Sequence, residues 1–102
     1  MLNVRVAAAA LNLTPLAWAH NRDLILAAMD EARARGVTLL CLPELCLTGY
    51  GCQDAFHSPS VHRQAMETLM REIVPATRGL YVSVGLPLTW RNSIFNAVAF
   101  IG

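Results

Sequence analysis

A chain of 102 residues has room for one domain and not for two. It is 55% hydrophobic and only 15% charged, so its apolar side chains need more cover than an ordinary soluble domain demands. A net charge of +1 with no basic cluster argues against a nucleic-acid partner, and no apolar run reaches the roughly 18–20 residues of a membrane-spanning helix.

Residues 4–11 are apolar and bounded by Asn12, Thr14 and Pro15, which predicts a buried first strand. Arg5 interrupts this stretch, and it is too short for a secretory leader, so a cytoplasmic chain is expected. Residues 18–35 follow as a helix with Leu24, Ile25, Ala28, Met29 and Ala32 on one face. Gly36 sits where a C-terminal cap belongs. Residues 37–42 form a second buried strand ending at Pro43, so the β-α-β order predicts a parallel pair with a right-handed crossover. Residues 44–57 read as a loop. Ser58 as N-cap and Pro59 at the first position open a second helix, with Val61, Ala65, Met66, Leu69, Met70 and Ile73 as its apolar stripe. Pro75 bends or ends it and Gly79 closes it. Residues 80–88 and 94–101 are two more strands joined by the five residues 89–93. Both faces of this last pair are apolar, which implies cover that the chain does not itself carry.

Glu44 is the only acid between Glu31 and Asp54, and it follows the end of a buried strand, where open α/β sheets place their ligand sites. Leu42, Pro43, Leu45, Cys46 and Leu47 around it predict partial desolvation, which makes a carboxylate a better proton acceptor. The position alone fits equally a carboxylate that caps backbone N–H groups of the loop. Cys41, Cys46 and Cys52 are spaced five and six apart, matching neither a redox pair nor a zinc site, and three reduced thiols are expected, at least two of them in the core. His57 and His62 with Cys52 have the wrong spacing for a metal site, so no metal is expected. Trp18 and His20 read as packing and surface residues. Asn96, polar in an apolar strand, reads as a buried hydrogen-bonding group holding a loop.

The run Pro43-Glu44-Leu45-Cys46-Leu47-Thr48-Gly49-Tyr50-Gly51-Cys52-Gln53-Asp54-Ala55-Phe56 resembles the first catalytic motif of the carbon–nitrogen hydrolase (nitrilase) superfamily. More narrowly it is similar to the N-terminal glutaminase domain of glutamine-dependent NAD synthetases. Arg5 to Asn12 with Thr14-Pro15-Leu16 fits that family's first strand, and Gly85-Leu86-Pro87 and Phe95-Asn96-Ala97 fit its third and fourth. The resemblance covers essentially the whole chain. It implies an α/β fold, the first part of a nitrilase-like α-β-β-α sandwich in the order β-α-β-α-β-β. It also implies a Cys-Glu-Lys triad in which Glu44 is the proton acceptor. Tyr50, in a loop beside a strand end, fits either a residue lining the glutamine pocket or an aromatic packed within the loop.

The chain departs from the family pattern in ways that matter. All eight basic residues are Arg, so the triad lysine is absent, and the nucleophilic cysteine of the family lies further on than any cysteine here. Gln53 replaces the usual acid and Leu13 stands where Gln is common, but neither change touches the triad and both read as tolerated variation. Residues 1–102 are therefore expected to be the N-terminal part of a glutaminase domain, inactive and aggregation-prone alone, with no cofactor of its own. The complete enzyme implied by the resemblance takes glutamine, deamido-NAD and ATP with Mg2+ in a separate synthetase domain, and is a homo-oligomer. A free-standing amidase or nitrilase, or a non-catalytic binding partner, are the competing readings.

Overall fold

The computed structural model describes residues 3–102. The elements are β1 (Val6–Ala8), α1 (Trp18–Ala34), β2 (Leu39–Cys41), a 3-10 turn (Gln53–His57), α2 (Pro59–Thr68), β3 (Tyr81–Trp90) and β4 (Ser93–Ile101). The four strands form one sheet in the order β1-β2-β3-β4, with β1, β2 and β3 parallel and β4 antiparallel to β3. This is the expected β-α-β-α-β-β order.

Strand order advances in one direction through β1, β2 and β3. Two right-handed crossovers therefore lay both helices on the same face of the sheet. Ile25, Met29 and Ala32 of α1 and Ala65 of α2 meet Leu40, Val82, Val84 and Leu86, and this cluster is the core. The opposite face carries Val6, Tyr81, Val98 and Phe100, each at least half exposed. One helix layer on one sheet is half of the α-β-β-α arrangement.

This corrects the expectation of a buried first strand. β1 is an edge strand of only three paired residues, and Val4 and Val6 are exposed. An apolar run predicts cover on both faces; here the chain supplies it on one.

α1 ends as its sequence predicts. Gly36 takes φ +69°, its N–H donates to the Arg33 carbonyl at 3.1 Å, and the Val37 N–H donates to the Ala32 carbonyl at 2.9 Å. Those two bonds are the Schellman pattern, and buried Val37 supplies its hydrophobic contact. Arg33 then donates to the Ala76 carbonyl at 2.8 Å, tying the helix end to the approach to β3.

The second helix departs from expectation in three ways. Its regular part stops at Thr68, and residues Leu69–Ile73 form a wide π-turn followed by a 3-10 turn, Val74–Ala76. Pro75 cannot donate to the carbonyl of Arg71 and crowds it, so the helix widens before ending. Ser58 does not cap with its side chain: its hydroxyl pairs with that of Ser60 at 2.8 Å. The buried stripe is Val61, Ala65, Leu69 and Ile73, while Met66 and Met70 face out and His62 and Thr68 face in. The two inward polar residues are satisfied. Thr68 donates to the Gln64 carbonyl at 2.9 Å. His62 Nε2 donates to the Phe56 carbonyl, and Nδ1 accepts from the Thr89 hydroxyl, each at 2.6 Å.

The β3–β4 connection is tighter than predicted. Pairing continues to Trp90 opposite Ser93, leaving only Arg91 and Asn92 in the turn. Both have positive φ, 49° and 65°, as in the two-residue turn whose twist matches a hairpin.

Candidate functional site

The Glu44 loop is an excursion from the β2–β3 ladder. The Leu42 N–H donates to the Ser83 carbonyl at 3.1 Å, and pairing resumes where the Leu47 N–H donates to the Gly85 carbonyl at 3.3 Å. Residues 43–46 arch over β3 between those bonds. Gly85 makes the arch possible. A Cβ there would overlap the Leu45 backbone nitrogen and lie 2.9 Å from the Pro43 carbonyl oxygen and 3.0 Å from the Glu44 carbonyl carbon. That Cβ direction belongs to the uncovered face of the sheet, so Glu44 stands on the side away from the helices.

The rest of the loop is anchored inward. Leu45, Cys46, Leu47 and Thr48 are buried. The Gly49 N–H donates to the Leu45 carbonyl at 2.9 Å. Gly49 has φ +82°, and a Cβ there would meet the Thr14–Pro15 backbone at 2.9 Å. The Leu16 N–H reaches across to the Thr48 carbonyl at 2.7 Å, so the loops after β1 and β2 lock together.

Asn21 completes that lock. It is fully buried in the first turns of α1. Its Nδ2 donates to the Thr14 carbonyl at 2.9 Å and the Leu47 carbonyl at 3.3 Å, and its Oδ1 accepts from the Thr14 N–H at 2.9 Å. Sequence reasoning missed it. The signal was available: residue 21 continues the Ile25-Met29-Ala32 stripe by one turn, and a polar residue on a buried stripe must have partners to meet.

Glu44 itself is exposed, against the expectation of partial desolvation. Its apolar neighbours turn into the core and leave the carboxylate on the open side. It is not a cap of the loop backbone; its Oε1 accepts from Asn96 Nδ2 of β4. Asn96 therefore does hold the loop, though it is exposed rather than buried. It lies opposite Pro87 in the hairpin register, on the same face as Gly85. Tyr50 is 68% exposed at the outer end of the motif, and among the described residues no hydrogen bond joins it to Glu44.

The three cysteines are free. Cys46 is fully buried with its thiol on the Gly85 carbonyl at 3.7 Å, and burial pushes it up to about 11. A thiol so held stays protonated at neutral pH and is a poor nucleophile. Cys52 is buried and donates to the Thr48 and Gly49 carbonyls at 3.3 and 3.2 Å. Cys41 lies on the exposed sheet face. Both ring nitrogens of His62 are spent on Phe56 and Thr89, so that histidine has no free lone pair for a metal.

A mainly parallel sheet, with one acid carried past the carboxyl end of its second strand, is an α/β domain of the kind that builds its site at strand ends. Residues 5–102 match the family described as carbon–nitrogen hydrolase, and the chain belongs to that family. It is 32% identical over 96 residues to the glutamine-dependent NAD(+) synthetase of Rattus norvegicus, covering 93% of this chain and 13% of that protein. A crystal structure of a glutamine-dependent NAD(+) synthetase from Cytophaga hutchinsonii superposes with a TM-score of 0.93 at 41% identity, covering 96% of this chain and 17% of that one. An amidase from Nesterenkonia sp. superposes at 0.68 with 28% identity, covering 82% of this chain and 32% of its own. The chain thus spans a small part of the proteins it resembles.

Proposed function

We propose that this chain is the opening part of the glutaminase domain of a glutamine-dependent NAD(+) synthetase, and that Glu44 is its proton acceptor. The observation that carries the reading is the likeness to the Cytophaga hutchinsonii synthetase, which is stronger in both identity and superposition than that to the amidase. The position of Glu44 supports its role. It is an acid at a strand end, held by a neutral amide, on the sheet face that the chain leaves open.

In this reading the nucleophilic cysteine and the lysine come from beyond these residues. Glu44 takes the thiol proton as the sulfur attacks the side-chain carboxamide carbon of glutamine. The C–N bond breaks, the proton passes to the leaving nitrogen, and ammonia departs from a thioester. Water then attacks the thioester, Glu44 accepts its proton and returns it to the sulfur, and glutamate leaves. The lysine stabilises the carbonyl oxygen as charge develops on it. Tyr50 lines the glutamine pocket. The ammonia serves an ATP- and Mg2+-dependent amidation of deamido-NAD in a separate synthetase domain of a cytoplasmic homo-oligomer.

The test is Glu44→Gln in the full-length enzyme. Glutamine-dependent NAD synthesis should fall by at least about 10²-fold, in line with loss of a general base, while ammonia-dependent synthesis is retained. Equal loss of both rates, or retention of both, contradicts the assignment. An amidase reading predicts hydrolysis of simple amides with no ammonia-dependent synthesis at all.

A further inference from the structure

We infer that Asn96 is a positioning residue for the Glu44 carboxylate, fixing which of its two oxygens receives the proton. The inference rests on the reading of Glu44 as proton acceptor and goes beyond it.

The placement of Asn96 is unusual for its strand. β4 is otherwise Ser93 followed by Ile, Phe, Ala, Val, Ala, Phe and Ile, and asparagine is among the poorer strand formers. Its side chain nevertheless lies on the sheet face toward which Gly85 opens. Val98 pairs with Gly85 and Asn96 with Pro87, so Asn96 is the next same-face residue of β4 toward the hairpin turn. The Glu44 arch crosses β3 at Gly85, and its carboxylate reaches β4 at Asn96. Two separate features of the fold, a missing side chain on β3 and a polar one on β4, thus converge on one carboxylate.

The chemistry of the contact suits a base. An ionised carboxylate only accepts hydrogen bonds, so the amide nitrogen of Asn96 must face Oε1. That bond restricts rotation of the carboxylate and leaves Oε2 free. An arginine or lysine in the same place would orient the group too, but its full charge would strongly favour the ionised form and weaken proton transfer. A neutral amide orients with far less of that effect. Among the described residues, no salt bridge reaches Glu44.

The experiment compares Asn96→Asp and Asn96→Ala with Glu44→Gln in the full-length enzyme, following glutamine- and ammonia-dependent NAD synthesis against pH. Asn96→Asp is nearly isosteric and sets a second carboxylate against Glu44. The acidic limb of kcat/KM for glutamine should move up by about one pH unit or more, as one carboxylate of such a pair resists ionisation. Asn96→Ala should lower kcat for glutamine by about 10–100-fold with KM within about twofold, a loss of orientation rather than binding. Ammonia-dependent synthesis should be unchanged in both, and an unchanged thermal melting profile excludes misfolding of the glutaminase domain as the cause. An unmoved acidic limb in Asn96→Asp, with Glu44→Gln inactive toward glutamine, overturns the inference and leaves the role of Glu44 standing. A Glu44→Gln enzyme that still uses glutamine removes both.

Discussion

Gly85→Ala is the sharpest perturbation this fold offers, because one methyl group tests the arch that carries Glu44. Gly85 does not have the positive φ that penalises a side chain, so alanine meets no backbone objection. At such a site the substitution ordinarily stabilises by about 0.4–1 kcal/mol, through a less free unfolded chain. Here the new Cβ would overlap the Leu45 backbone nitrogen and stand 2.9 Å from the Pro43 oxygen and 3.0 Å from the Glu44 carbonyl carbon, all backbone atoms. Comfortable contact between non-bonded heavy atoms is about 3.5 Å, so the arch must retreat by about 1 Å or more. Overpacking of that kind costs about 1–3 kcal/mol, which outweighs the entropic gain. The retreat also displaces the carboxylate relative to Asn96, and under the role proposed for Glu44 a displacement of this size costs up to about 10²-fold in rate. Glutamine-dependent turnover of the full-length enzyme should drop accordingly while ammonia-dependent turnover persists, and thermal melting should shift down. A Gly85→Ala enzyme with native glutamine kcat and a melting temperature at or above wild type would refute the reasoning.

Asn21→Leu removes hydrogen bonds to the Thr14 N–H, the Thr14 carbonyl and the Leu47 carbonyl from a fully buried site. Stranding those groups should destabilise the fold by about 2–4 kcal/mol, read as a lowered urea midpoint. Cys46 should resist iodoacetamide at pH 8 until denaturant is added, because burial keeps its thiol protonated. The same shift sets an alkaline limit. The ionised thiol is disfavoured only in the folded state, so its contribution is whole below the ordinary value of 9.0 and lost as pH rises toward about 11. At about 1.4 kcal/mol per unit the loss reaches about 3 kcal/mol, and a Cys46→Ala variant should show a correspondingly flatter stability profile between pH 9 and 11.

Much of this architecture was legible because its signals are local. Periodicity and the Gly36 cap give α1, Pro59 opens α2, and the strand–helix–strand order gives the parallel sheet. The Glu44 motif was legible as a run of residues. What the run could not give was its surroundings. Apolar neighbours in sequence do not surround a side chain in space, and the arch sends Leu45, Cys46 and Leu47 one way and Glu44 the other. The contact with Asn96 spans 52 residues and depends on the hairpin register, which only the paired strands define. The widening before Pro75 was partly foreseeable, since proline breaks a helix; its start at Leu69 carries no local sequence signal.

The open face of the sheet has a consequence beyond stability. Val98 and Phe100 share that face with Asn96 and with the arch bearing Glu44. Any layer that settles on the hydrophobic side chains must also expel water from around the carboxylate. Under the role proposed for Glu44, docking and activation would be a single event, with the carboxylate solvated until this face of the sheet is covered. On that reading, covering the hydrophobic face and desolvating the acid would be inseparable steps of assembly.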